Sequence, residues 1–158
     1  MRAWKEYLEE IIDPEDIKMR GFTIKDNLDP VIWENNRLKE YIAEHLYKIA
    51  KNFFRDVGLD WKLVRDVTLT GSLANYNWSR YSDVDLHILV DYSDVDENKK
   101  LVRDLFKNVS AMWNKTHNIR IKGHDVELYV QDSREPHHST GVYSIKNDRW
   151  NKTPSRYS

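Results

Sequence analysis

The sequence predicts a mixed α/β (α+β) domain, in which a small mixed β-sheet has helices packed on one face. Two long segments, 36–58 and 97–117, repeat apolar residues at the three- and four-residue spacing of amphipathic helices. Shorter segments at 61–70, 83–90 and 124–130 have the apolar content or the alternation of half-buried strands. Helical and extended segments follow one another along the chain, which favours one layered unit.

Length and composition are those of one ordinary domain. The chain has 158 residues, 40% of them apolar and 32% charged, so we expect a single domain over 1–158, with an N-terminal extension (1–35), a core (36–132) and a C-terminal tail (133–158). A net charge of −1 argues against a purely electrostatic nucleic-acid binder. The lack of cysteine excludes disulfides, thiolate metal sites and cysteine nucleophiles. The charged N-terminus resembles neither a signal peptide nor a membrane anchor, so we expect a cytoplasmic protein with no membrane partner.

The first half of the chain gives two helices and a strand. Residues 3–12 predict a short helix that ends before Pro14, and 14–33 predict a loop. From residue 36 a long helix is expected, closed near Gly58, and its apolar stripe is Leu38, Ile42, Leu46, Ile49 and Phe53. Residues 61–70 predict the first strand, and Ser72 is the expected N-cap of a short helical piece.

The second half predicts a strand at 83–90, a second long helix and a hairpin. The helix is expected over 97–117 with Ser93 or Asp94 as its start signal, and its first stripe is Leu101, Leu105, Val109 and Met112, with Val102, Phe106 and Trp113 beside it. Strands at 119–122 and 124–130 meet at Gly123. The polar tail from residue 132 contains one apolar patch at 141–145, which predicts an edge strand.

Two strands carry acidic residues on one face. Asp83 and Asp85 lie two positions apart, so an extended backbone points both carboxylates to one side. A third carboxylate is expected from the 124–130 strand; Glu127 is preferred because it lies deeper in the alternating run, and Asp125 is the fallback. Three carboxylates from neighbouring strands can hold two divalent metal ions about 3.5–4 Å apart, against a nucleoside triphosphate.

The turn before the acidic strand predicts a phosphate site. Gly71 would let the backbone approach phosphates closely, and Ser72 would offer N–H groups and a hydroxyl. Arg80 and Ser82 flank the acidic strand; Arg80 would steady the triphosphate, although a loop arginine is more often simply solvated. His87 is expected to be a hydrogen-bonded structural residue. The adjacent His137 and His138 diverge on a strand, which argues against a metal site there.

These residues resemble a known signature. Gly71-Ser72, a ten-residue spacer and Ser82-Asp83-Val84-Asp85-Leu86 are similar to the motif of the DNA polymerase β-like nucleotidyltransferase superfamily. The segments 28–35, 126–132 and 141–144 also resemble small stand-alone nucleotidyltransferase-like proteins common in tailed-phage genomes, which would place the protein in the host cytoplasm. The resemblance implies that Asp83, Asp85 and Glu127 are metal ligands and that Gly71 and Ser72 form the phosphate-binding turn.

The leading functional hypothesis is therefore a Mg²⁺- or Mn²⁺-dependent enzyme that moves an NMP group from an NTP to an unidentified acceptor. An RNA end, a protein or a small molecule are all open as that acceptor. The larger superfamily members have further domains for gripping the acceptor, so a second subunit, as in a homodimer, could assist here. The alternatives are a catalytically silent nucleotide- or nucleic-acid-binding module of a larger assembly, with Tyr143, Trp150 and nearby cations contacting a strand, or a phage protein that uses a borrowed fold.

Overall fold

The computed structural model describes residues 24–136 and 140–156. The helix predicted at 3–12 and the His137–His138 pair lie outside these residues. In the part of the chain that is described, no helix combines the length and the apolar character needed to cross a membrane.

A six-stranded mixed sheet forms the centre of the fold. Its order is β5 (Arg120–Ile121), β6 (His124–Asp132), β4 (Val84–Val90), β3 (Val64–Thr70), β7 (Val142–Ser144) and β8 (Arg149–Lys152). Strands β4 and β6 pair in parallel, whereas the other neighbours pair antiparallel. The mixed α+β class predicted from the sequence is confirmed.

Two helices cover one face of the sheet. They are α1 (Glu40–Asp56) and α2 (Lys99–Thr116), and they share one apolar cluster with the inward residues of β3, β4 and β6. Phe53 of α1 packs edge-to-face on Trp113 of α2, and Phe54 stacks on Phe106. Because this face is covered, the alternate residues of the same strands are left to build the other face.

Side chains protect the outer side of β6. Asn114 of α2 donates to the carbonyl of Leu128 and accepts from its N–H, both at 2.9 Å. The hydroxyl of Tyr92 donates to the carbonyl of Val130. Beyond the short pairing with β5, these bonds satisfy backbone groups on the outer edge of β6.

The first long helix begins later than the sequence predicts. A short β-hairpin of β1 (Trp33–Glu34) and β2 (Arg37–Leu38) precedes the helix. Its two-residue turn consists of Asn35 and Asn36, which have φ of 53° and 61°. Asparagine tolerates this left-handed region, and two such residues make a tight hairpin turn. Leu38, placed in the helical stripe by its spacing, is buried from the hairpin instead.

Helix α2 also differs from its predicted start and stripe. Asn98 caps it by accepting from the N–H of Leu101, while Ser93 and Asp94 belong to a separate 3-10 turn, Tyr92–Asp94, capped by Asp91. The buried stripe is Val102, Phe106, Ser110 and Trp113. Leu101, Leu105 and Met112, predicted as the first stripe, are exposed. The helix sequence contains two apolar stripes of similar spacing. The stripe with Phe106 and Trp113 is the buried one, because aromatic side chains bury more apolar surface than the side chains of the other stripe.

The predicted C-terminal tail contributes two strands. A strand forms within the patch at 141–145, but its predicted edge position is wrong. Strand β7 pairs with both β3 and β8, and β8 is the edge strand. Tyr143 and Trp150 pack on Trp33, with ring centroids 5.0 and 4.8 Å from it, which leaves Tyr143 fully buried. These rings belong to the packing of the fold rather than to a surface for a strand of nucleic acid. The division into extension, core and tail stays a prediction.

Candidate active site

The acidic face of the sheet brings two predicted carboxylates into register. Asp85 of β4 aligns with Glu127 of the parallel strand β6 and with Thr70 of β3. Asp83 is exposed and directly precedes β4, two residues before Asp85. Since paired residues on adjacent strands point to the same face, these side chains share the face opposite the helices.

Burial and neighbouring charges raise the pKa of both aspartates. Burial, followed by the charges of Asp83 and Glu127, raises the pKa of Asp85 from 3.8 to about 6. Partial burial and the charge of Asp125 also raise the pKa of Asp83, while His124 opposes the shift. Neighbouring carboxylates thus add to the effect of burial, which disfavours the ionised forms of Asp83 and Asp85.

The two candidates for the third carboxylate have different surroundings. Asp125 accepts a 2.8 Å hydrogen bond from Nε of Arg120, which neutralises part of its charge. Glu127 lies beside Asp85 in the register and acts on its pKa. Both face the aspartate pair, so the strand supplies one carboxylate near each aspartate.

Gly71 touches Asp85. It has φ 79° and ψ −166°, a conformation that is essentially restricted to glycine. A Cβ at this position would lie 2.1 Å from Oδ2 of Asp85, so any side chain would displace the carboxylate. The glycine therefore permits both the sharp turn after β3 and the placement of the acid.

Serine hydroxyls close the loop that follows. The hydroxyl of Ser72 donates to Oγ of Ser82 at 2.7 Å, and Ser82 Oγ also accepts from the N–H of Ser79. The expected N-cap role of Ser72 is wrong, because Gly71 occupies the cap position of the short 3-10 helix Ser72–Ala74, and no side chain caps it. The hydroxyl instead ties the two ends of the loop together.

A cleft of about 440 Å³ opens beside these residues. Its lining is polar and includes four predicted site residues, Ser72, Ser82, Asp83 and Asp85, together with Ser79 and Tyr81. The predicted residues Gly71, Arg80 and Glu127 are not part of this lining. Arg80 lies next to the lining, and its guanidinium donates to the hydroxyl of Tyr81 and lies over that ring. The role of Arg80 toward a triphosphate stays a prediction.

A buried histidine that the sequence reasoning missed supports the site from behind. His124 places Nδ1 2.6 Å from the carbonyl of Ser82 and Nε2 3.1 Å from Oδ2 of Asp29, and both side chains are 3% exposed. Both ring nitrogens face acceptors, so the imidazole must donate from both. The hydrogen bond to Asp29 accordingly raises the pKa of His124. These two contacts of the ring hold the backbone just before Asp83.

A signal for His124 was present in the alternation of its strand. Positions 124, 126, 128 and 130 share one face, and the last three are apolar, so His124 falls on the core side. A polar ring on that side needs buried partners. His87 lies on the acidic face, where Nδ1 is 3.1 Å from Oε1 of Gln131, so it is hydrogen-bonded as expected.

By type and charge the donor set fits a divalent cation. Carboxylate oxygens are the ligands that Mg²⁺ prefers, and the mutual repulsion at Asp85 is what a cation would relieve. Across 24–136 and 140–156, however, no three histidine, cysteine, aspartate or glutamate side chains are already grouped closely enough to hold a metal ion. The carboxylates face one another without forming a finished ligand cluster.

Comparison with known proteins gives one match. A family model described as a nucleotidyltransferase domain matches residues 48–140, which is more than half of the chain and includes every residue of the cleft. No curated protein and no solved structure matches the chain.

Proposed function

Because the chain belongs to the nucleotidyltransferase domain family, we propose that it transfers an NMP group from an NTP to an acceptor. The observation that carries the proposal is the β4–β6 register, in which Asp85 lies beside Glu127. Asp83 precedes Asp85 by two residues, and the turn at Gly71 contacts the Asp85 carboxylate. The acceptor is an RNA end, a protein side chain or a small molecule.

The acidic side chains would hold a divalent cation, Mg²⁺ or Mn²⁺. Asp83 and Asp85 are the proposed ligands, with Glu127 as the third and Asp125 as the fallback. When bound, such a cation supplies neutralisation of the phosphate charge and a lowered pKa of the attacking hydroxyl. The raised pKa of Asp85 supports this role, because its ionised form needs a counter-charge at neutral pH.

The turn and the loop have separate proposed roles. The Asp85 carboxylate fills the space that a side chain on Gly71 would take, so the proposed contact of this turn with phosphates is made by its backbone N–H groups. Ser72 and Ser82 line the cleft beside it. Tyr81 lines the same cleft and offers a ring next to the substrate, with Arg80 on its other side. The Asp29–His124 pair holds Ser82, and through it the position of Asp83.

The test is label transfer from α-³²P-labelled NTPs in the presence of Mg²⁺ or Mn²⁺ and a cell extract as the source of acceptor. We expect Asp83→Ala and Asp85→Ala to reduce transfer by more than about a hundredfold, since changes outside the ligand shell alone cost about 10–100-fold. Asp104→Ala on the exposed side of α2 is the matched control. Transfer that survives both site substitutions would remove this site from consideration.

A catalytically silent nucleotide-binding module is the second candidate. It is favoured by the arrangement of the carboxylates, which are not grouped into a finished three-ligand cluster among the described residues. Calorimetric titration with each NTP and Mg²⁺ separates the two functions. A silent module predicts nucleotide affinity that is unchanged in Glu127→Gln and no label transfer, whereas the enzyme predicts transfer that Glu127→Gln abolishes.

A further inference from the structure

A second binding surface lies along α1, away from the acidic cleft. The α1 groove, as we name it, has a volume of about 450 Å³. Its apolar lining comes from Ala43, Tyr47 and Ile145, and its cations are Lys48, Lys51 and Lys146. Glu44 is the acidic residue of the lining. All three lysines are exposed, whereas Ile145 is buried and Tyr47 is half-buried.

Aromatic rings and a further cation extend this surface. A hollow of about 440 Å³ continues past Lys48 and Lys51, which line both spaces, to Arg55 and Trp61. Nζ of Lys51 lies 5.1 Å from the ring centroid of Tyr47 and 5.8 Å from that of Trp61. The spacing 48, 51, 55 is one helical stripe beside two rings. Lys48 and Lys51 are the exposed lysines of this stripe, whereas Nε of Arg55 lies 3.7 Å from Oδ1 of Asp56.

The groove is separate from the candidate active site. The N–H of Ile145 donates to the carbonyl of Val67, and Nζ of Lys146 donates to that of Arg65, at the start of β3. Asp85 pairs with Thr70 at the end of β3, which is three residues beyond Val67 and five beyond Arg65, or about 10–16 Å at about 3.3 Å per residue. Substitutions in the groove therefore leave the cleft residues in place.

We propose that the α1 groove binds a single strand of nucleic acid, with the lysines at its phosphates and the ring of Tyr47 against a base. Among the described residues, none of Lys48, Lys51 and Lys146 forms an ion pair with a carboxylate, so their charge is available to an external anion. A row of cations beside an apolar, aromatic lining matches a polymer that alternates phosphate with a flat base. The binding does not depend on the proposed transfer reaction.

The experiment is fluorescence anisotropy with labelled RNA and DNA oligonucleotides of about 12 nucleotides, titrated at several salt concentrations. The triple variant Lys48→Gln, Lys51→Gln, Lys146→Gln should bind at least about tenfold more weakly. Its plot of log affinity against log salt should be shallower by about 2, because each phosphate contact contributes about 0.7 on a single strand. Comparing RNA with DNA identifies the type of strand.

A matched control changes the same net charge elsewhere. Lys100→Gln, Lys107→Gln, Lys115→Gln removes three exposed lysines of α2 and should leave the affinity and the salt slope unchanged. Tyr47→Leu should weaken binding about tenfold with the slope retained, since it removes stacking and no charge. Asp85→Asn should leave strand binding intact, so this inference and the proposed reaction can fail separately.

Three outcomes would overturn the inference. The first is no oligonucleotide binding by the wild-type protein at low salt. The second is an equal loss in the two triple-lysine variants, which would mean a general charge effect. The third is polyglutamate binding that equals oligonucleotide binding and shows the same dependence on the groove lysines, which would identify an acidic protein segment as the partner.

Discussion

Asp85 should make the protein less stable at neutral pH than it would be with a neutral side chain there. Its pKa is about 6 in the folded state against 3.8 as the ordinary value, so the folded protein holds a proton more tightly than the unfolded chain. A carboxyl group whose pKa is raised by folding stabilises the folded state fully at pH values below its pKa in the unfolded chain. This contribution is lost as the pH rises through its pKa in the folded protein. The loss is therefore complete somewhat above pH 6.

The size of the effect follows from the shift. Two pKa units correspond to about 3 kcal/mol, and we reduce this to about 1–2 kcal/mol because the side chain is partly exposed and screened by solvent. Asp85→Asn should raise the free energy of unfolding by this amount at pH 8 and by much less at pH 4. In a thermal scan each kcal/mol corresponds to about 2–4 °C for a chain of this length.

Urea unfolding of both proteins at the two pH values is the assay, with Asp104→Asn as the control for removing an exposed carboxylate. A destabilised Asp85→Asn protein at pH 8, or the same gain at both pH values, would refute the electrostatic account. Saturating Mg²⁺ should then stabilise the wild-type protein by up to about 2.7 kcal/mol at a hundred times its Kd, and Asp85→Asn by less. Equal stabilisation of the two proteins would place the cation elsewhere.

Two further substitutions test the surroundings of the cleft. Gly71→Ala should lose label transfer and cost about 2 kcal/mol more in urea unfolding than Gly58→Ala. Gly58 is the control because its φ is also positive, but a Cβ added there would meet nothing within 4 Å. Equal costs for the two variants would contradict the overlap with Asp85. Asp29→Asn should cost about 1–3 kcal/mol, since it removes the buried carboxylate partner of Nε2 of His124. Because the pKa of His124 is raised, wild-type stability should fall as the pH rises above 6.5, and Asp29→Asn should flatten that dependence; a slope that persists would exclude the pair as its source.

The elements that the sequence predicts well are those with a strong hydrophobic periodicity. The strands at 64–70 and 84–90 and the Gly123 hairpin follow from alternation and turn chemistry, and the family match supports the superfamily resemblance drawn from Gly71, Ser72 and the aspartates. The likeness to small phage proteins stays a prediction. Alternation was sufficient to put Asp85 and Glu127 on one face, because a strand has only two faces.

The less predictable part depends on contacts between distant segments. The sequence of α2 offers two possible buried stripes. Packing of Phe106 against Phe54 and of Trp113 against Phe53 selects the stripe that leaves Leu105 exposed. Likewise, Asp29 and His124 are 95 residues apart, and no local pattern pairs them. The position of β7 inside the sheet has the same origin, since the apolar patch at 141–145 predicts a strand but not the strands with which it pairs.

The parallel pairing of β4 with β6 has a consequence for how the protein is made. The chain between these strands contains α2 and returns over one face of the sheet to pair β6 beside β4, and such distant pairings close slowly because the loop entropy is lost first. The carboxylate repulsion arises only when this pairing brings Asp85 beside Glu127. Refolding from urea should accordingly be faster in acid, where Asp85 is protonated when the two strands join.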